Sequence, residues 1–139
     1  MKITCNFDSG NIEVLKADSP DDIQLTIRKD NQSDFFQWFH FRLSTEHAQL
    51  HTLKIVNAGD SAYPDGWKDY QAVASYDRQT WFRVETEYDG KVLTIKHFPE
   101  AESVYFAYFA PYSYERHMDL LSQAQASGMC QLVDLGNTL

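Results

Sequence analysis

Apolar side chains recur at every second position through most of this chain, and a period of two is what an extended strand with one covered face demands. In Ile3-Thr4-Cys5-Asn6-Phe7 the residues Ile3, Cys5 and Phe7 share a face. The turn residues Asp8-Ser9-Gly10-Asn11 follow, and Ile12 to Leu15 resumes the extended pattern. Ile23 to Lys29 alternates in the same way, and further strands are expected over Leu50 to Val56, Ala72 to Tyr76, Trp81 to Tyr88, Lys91 to Phe98 and Ser103 to Phe109. Asp89-Gly90 between two of these runs marks a two-residue hairpin whose central residues both take positive φ. In Phe35 to Leu43, Phe39, Phe41 and Leu43 fall on one face while Phe36 and Trp38 fall on the other, as in a central strand covered twice at that end. Only Ser113 to Ser127 has helical spacing, at Leu120, Leu121 and Ala124, with Gly128 placed to cap it. The expected fold is all-β: an antiparallel β-sandwich of about eight or nine strands with one short C-terminal helix.

A chain of 139 residues has room for one such core and little else. With 43% hydrophobic and 14% aromatic residues it carries enough apolar surface to offset the entropy of ordering. The balance of 12 basic against 20 acidic side chains, −8 overall, argues against a nucleic-acid partner, whose phosphates need lysine and arginine. No apolar run approaches the length of a membrane span, and the opening residues lack the apolar core of a signal peptide. Cys5 and Cys130 form no metal or redox motif. These features give the expectation of a cytoplasmic protein with reduced thiols and no membrane partner.

Reactive constellations are sparse. His97-Phe98-Pro99-Glu100 spells HxxE with His117 downstream, the residue types by which zinc peptidases hold their metal and leave one position open for water. Its surroundings read as an exposed strand end. His47 and His51 are four apart, yet lack the glutamate of HExxH and run into a strand. There is no GxSxG elbow and no glycine-rich phosphate loop. The run from Val104 to Tyr114 differs in kind, because apolar or aromatic side chains occupy both faces. Either this is a central strand covered twice, or its end at Pro111, Tyr112 and Tyr114 meets a partner; tyrosines suit such a seam, burying a ring while keeping a hydroxyl for a hydrogen bond.

Four pieces in this order, FDSGNI (Phe7 to Ile12), QWFHFRL (Gln37 to Leu43), KIVNA (Lys54 to Ala58) and YFAYFAPYSYE (Tyr105 to Glu115), resemble the N-terminal β-sandwich domain of cytosolic carboxypeptidases, a branch of the carboxypeptidase A-like zinc peptidases. The resemblance covers essentially the whole chain. It implies a non-catalytic accessory domain over residues 1–128, with 129–139 as a linker and the start of a catalytic domain that lies downstream and binds zinc. No catalytic or metal-binding residue carries over, because the family's HxxE follows the sandwich whereas His97 and Glu100 precede the APYSY segment. What carries over is structural: Phe7, Ser9, Gly10 and Asn11 of the turn, and Trp38, Phe39 and Phe41 of the aromatic strand. Tyr108, Pro111, Tyr112 and Tyr114 are expected at the seam with the catalytic domain. The implied parent removes C-terminal residues, among them glutamates, from proteins or peptides, and the isolated fragment is expected to self-associate through an exposed apolar patch. A domain of charge −8 repels acidic tails, so a parent that prefers them needs its positive subsite elsewhere.

Two further readings stand beside this one. A free-standing binding module would use Trp67, Tyr70 and Trp81 as a platform for sugar or peptide. A small enzyme would gather His97, Glu100 and His117 around zinc.

Overall fold

The computed structural model describes residues 1–137. Two five-stranded sheets lie face to face. The first has the order β1 (Lys2–Thr4), β4 (His40–Ser44), β10 (Ser103–Ala107), β6 (Val73–Ser75), β7 (Phe82–Arg83). The second has the order β2 (Glu13–Lys16), β3 (Ile23–Thr26), β5 (His51–Ile55), β9 (Leu93–His97), β8 (Glu85–Tyr88). One α-helix among the described residues, α1 (Tyr114–Ala126), follows the last strand.

The period-two residues are the ones that fill the space between the sheets. Phe41, Leu43, Val104 and Phe106 point inward from the first sheet, and Ile23, Leu25, Leu53, Ile55, Leu93 and Ile95 from the second, all fully buried. Phe41 and Phe106, paired across β4 and β10, stack with centroids 5.4 Å apart. Truncating either to alanine would cost about 3–5 kcal/mol, since a closely packed core cannot collapse onto the lost ring. Trp67 closes one end of the core, its indole N–H donating to Ala58 O at 3.0 Å and Ser61 Oγ at 2.8 Å.

Four expectations change. The sandwich is not wholly antiparallel: β3 and β5 pair in parallel, because β4 between them in sequence belongs to the other sheet and returns the chain in the same direction. The run from Trp81 to Tyr88 is two strands in different sheets, with buried Val84 as the crossing point, which raises the strand count to ten. Phe35 to Phe39 lie outside any strand, since their backbone groups are taken elsewhere. Ala62 N–H donates to Phe36 O at 2.9 Å, Asn11 Nδ2 to Trp38 O at 2.9 Å, and Tyr108 N–H to Phe39 O at 3.0 Å. The β8–β9 hairpin is present, but its loop runs from Asp89 to Val92 and only Gly90 has positive φ, 96°. Asp89 instead accepts Lys91 N–H and Val92 N–H on its carboxylate.

Helix α1 starts where Ser113 Oγ accepts Arg116 N–H at 3.2 Å, and Gly128 follows its last turn at φ 74°. None of its residues is buried, and Leu120 is 53% exposed, so the apolar stripe read from the sequence does not enter this core. Residues 129–137 carry no helix or strand and are exposed throughout. Thr138 and Leu139, the end of the expected entry into a catalytic strand, lie outside the described residues. Among the described residues no helix is long and apolar enough to cross a membrane.

Candidate functional site

A sheet's outer face is ordinarily solvated, yet at the centre of the first sheet it carries a buried histidine. His40 opens β4 and is 1% exposed although it points away from the core residues Phe39 and Phe41. Phe7 lies 4.9 Å from its ring centroid, Trp81 5.8 Å, Trp38 5.9 Å and Tyr105 6.1 Å. The turn after β1 is fastened to the same residue. Asn11 N–H donates to His40 O at 2.8 Å, His40 N–H to Asn11 O at 3.1 Å, and Ser9 Oγ lies 3.1 Å from His40 Nδ1. Trp38 Nε1–H donates to Ser9 O at 2.7 Å. His40 Nε2 is buried with no hydrogen-bond partner. Burial, reinforced by the neighbouring charge of Arg78, pulls the imidazole pKa down to about 4, so the ring is neutral near pH 7.

The Ser9-Gly10-Asn11 turn owes its shape to two different constraints. Ser9, not Gly10, takes the left-handed conformation, with φ 66°. Gly10 is required for close approach: a Cβ there would sit 2.1 Å from Cys5 O. Asn11 then ties together three segments, donating to Arg28 O at 3.1 Å and to Trp38 O at 2.9 Å while accepting from Arg28 Nε at 3.1 Å.

Arg78 is set by a turn of its own. Asp77 Oδ1 accepts Gln79 N–H and Thr80 N–H, each at 2.8 Å, and Ser75 Oγ accepts Arg78 N–H at 2.8 Å. That arrangement holds Arg78 at φ 64° with its guanidinium 5.4 Å over Tyr105 and 5.9 Å over Phe7. A cleft of about 640 Å³ opens here, between this sheet face and α1, lined by Ser9, His40, Arg78 and Trp81 on one side and by Pro111, Ser113, Glu115 and Asp119 on the other. One hydrogen bond spans the two walls beside it, Glu115 N–H to Asp8 Oδ2 at 2.9 Å.

The residues expected at a seam separate into two groups. Tyr108 belongs to the sandwich, packing 5.2 Å from both Trp67 and Tyr70, with its carbonyl accepting the Tyr70 hydroxyl. Pro111 lines the cleft, while Tyr112 and Tyr114 stand out at 54% and 67% exposure and Phe109, earlier in the same segment, at 52%. The Trp67, Tyr70 and Trp81 platform is not assembled, because Trp67 is fully buried and Trp81 faces the cleft.

The metal-ligand candidates do not gather as a set of three, for His97 and Glu100 meet at one hydroxyl and His117 lies on α1. His97 Nε2 bonds the Tyr76 hydroxyl at 2.8 Å, and Glu100 N–H donates to the same hydroxyl at 3.0 Å. His117 sits on α1 with its ring 6.2 Å from Tyr112. His51 is buried in β5, its Nδ1–H donating to Gln49 O at 2.9 Å and its Nε2 accepting from Thr45 Oγ1 at 3.0 Å. Among the described residues no three histidine, cysteine or carboxylate side chains are grouped as a metal centre, so the residues present do not fit a zinc site. Neither His40 nor Arg78 belongs to a recognisable catalytic or metal-binding motif in the sequence. The available signal was a lone histidine inside an aromatic run, on the face an alternating strand gives to solvent.

The sequence matches the family described as cytosolic carboxypeptidase N-terminal domain over residues 3–109. An uncharacterized protein of Zymomonas mobilis is 48% identical over 139 residues, covering all of this chain and 36% of that protein. The crystal structure of a metallo-carboxypeptidase from Burkholderia cenocepacia superimposes with a TM-score of 0.93 at 50% identity, over 97% of this chain and 35% of that one. A Pseudomonas aeruginosa metallo-carboxypeptidase, solved with (2-guanidinoethylmercapto)succinic acid, gives 0.88 at 50% identity over 91% of this chain and 34% of that one. The chain thus spans about a third of these relatives' length, and it belongs to the family of cytosolic carboxypeptidase N-terminal domains.

Proposed function

We propose that this chain is the non-catalytic N-terminal accessory domain of a cytosolic zinc metallocarboxypeptidase, an enzyme that removes C-terminal residues, glutamates among them, from proteins or peptides. Residues 1–128 form the accessory domain, and 129–139 lead into the catalytic domain, which supplies zinc and all bond-breaking chemistry. The observation that supports this reading is a set of exposed aromatic rings. Phe109, Tyr112 and Tyr114 are each more than half exposed at the foot of a helix that buries none of its own residues. Exposed rings grouped with an unpacked helix suit a surface that a second domain covers. The domain would then act by positioning that partner or by narrowing access to its cleft. In the absence of the partner the same surface should drive self-association.

The test is amide and side-chain protection in a longer polypeptide that includes the catalytic region. Tyr112 and Tyr114 should become protected there and remain accessible in the 139-residue chain. Tyr112→Ala should lower peptidase activity or stability of the longer polypeptide. Unchanged protection together with unchanged activity would overturn the proposal.

A further inference from the structure

Beyond the domain-seam reading, and independent of it, we propose that the cleft between the first sheet and α1 is a ligand site for a zwitterion of the α-amino acid class. The carboxylate would lie toward Arg78 and His40 and the ammonium toward Glu115 and Asp119.

The sheet wall offers unused donors. Buried His40 Nε2 lacks a hydrogen-bond partner, and buried polar atoms in native folds almost always have one. When the Ser9 hydroxyl donates to Nδ1, Nε2 carries the proton as a buried donor of a residue that lines the cleft. Arg78 stacks its guanidinium on Tyr105 and Phe7, and among the described residues it makes neither an ion pair nor a side-chain hydrogen bond. A guanidinium held over two ring faces with no carboxylate partner of its own is suited to receive one. Among the described residues four non-glycine residues have positive φ, and two of them, Ser9 and Arg78, flank His40. Backbone strain gathered at one place marks function more often than chance.

The helix wall carries two carboxylates and one guanidinium. Glu115 and Asp119 are one helical turn apart on α1, exposed, and in no ion pair among the described residues. Arg116 also lines the cleft, its guanidinium donating to Pro111 O at 3.3 Å and lying 5.5 Å over Tyr112. On the sheet wall Asp77 also lines the cleft, and its Oδ1 accepts the loop N–H groups of Gln79 and Thr80. A simple anion would gain from one wall and be repelled by the other, whereas a molecule carrying both charges is complementary to both.

The experiment follows the His40 imidazole by nitrogen–proton NMR while the chain is titrated with L-alanine, sodium acetate or methylammonium chloride at constant ionic strength. L-Alanine should shift the His40 resonances saturably, acetate at least fivefold more weakly, and methylammonium not at all. Arg78→Gln should weaken the alanine response tenfold or more while leaving the rest of the spectrum native. Asp119→Asn should narrow the gap between alanine and acetate. No saturable shift with alanine, an equal response to acetate, or a response indifferent to Arg78→Gln would each overturn the assignment.

Discussion

The side-chain amide of Asn57 exchanges two hydrogen bonds with the backbone of Ile27, accepting its N–H at 3.0 Å and donating to its carbonyl at 2.9 Å. The parallel pairing of β3 with β5 ends at Leu25 and Ile55, Val56 N–H adds one bond to Leu25 O, and Asn57 then substitutes a side chain for the next rung. Ile27 is buried, so neither of its groups has water as an alternative. Asn57→Ala should therefore destabilise the chain by about 2–4 kcal/mol, counting two stranded groups at about 1–2 kcal/mol each. Urea unfolding measures it, and a loss below about 1 kcal/mol would mean the ends of the two strands relax to re-pair.

Two glycines should respond to alanine for opposite reasons. At Gly10 the added methyl meets the Cys5 carbonyl, so the turn must open, at a cost of about 2–4 kcal/mol. At Gly90 nothing lies within 4 Å of the new Cβ, and only the positive φ is penalised, by about 1 kcal/mol. Comparing the unfolding midpoints of Gly10→Ala and Gly90→Ala separates the two.

Ser9 combines a strained backbone with a hydrogen bond to His40. Ser9→Ala loses the bond and keeps the strain, while Ser9→Gly loses the bond and relieves it. The glycine variant should be the more stable of the two by about 1 kcal/mol, measured as a difference in unfolding free energy.

Acid should weaken the fold in two stages. Burial depresses the pKa of His40, His51 and His97 below the ordinary histidine value of 6.5, to about 4 for His40. Between those values the unfolded chain binds more protons than the folded one, so stability falls as pH drops from about 6.5 towards 4. His40 alone contributes at most about 3.5 kcal/mol to that fall, its shift multiplied by about 1.4 kcal/mol per pH unit. Below that range the carboxylates take over. Asp22, held by hydrogen bonds from Lys16 and Lys54, and Asp77 and Asp89, held by the N–H groups of their turns, all have lowered values and lose their partners on protonation. Unfolding free energies at pH 7, 5.5 and 4.5 should descend in that order, and His40→Gln should flatten the first stage.

Tyr112 and Tyr114 make little of the chain's own stability. Tyr112→Ala and Tyr114→Ala should each change the unfolding free energy by less than about 0.5 kcal/mol, as exposed positions do. The same variants should lower the self-association of the isolated chain in sedimentation velocity. A large loss of stability would place these rings inside the sandwich instead of at a seam.

Strands whose pattern is local were legible in the sequence. Ile23, Leu25, Leu53, Ile55, Leu93 and Ile95 alternate because one face meets the opposing sheet, and no distant information is needed to see it. The extent of the aromatic strand was not legible, because Phe36 to Phe39 look like β4 but give their backbone groups to Ala62, Asn11 and Tyr108. The parallel β3–β5 pair was hidden for the same reason, since direction depends on which sheet the intervening strand joins. His40 reads as a solvent-facing residue of an alternating strand, and only the tertiary arrangement of Phe7, Trp38, Trp81 and Tyr105 encloses it. In KIVNA, Asn57 carries a role that strand propensity cannot express, as the hydrogen bonds it makes lie thirty residues away.

The order of the strands also governs how the molecule comes apart. β1 and β2 are consecutive in the chain and form edges of different sheets, and so do β7 and β8. Each flank of the sandwich is therefore bridged by a single stretch of polypeptide that serves both layers. Peeling one sheet from its edge pulls directly on the border of the other, so neither layer can melt first and persist alone. Denaturation should be all-or-none for the sandwich, with fluorescence from Trp67 in the core and Trp81 on the outer face reporting one shared transition.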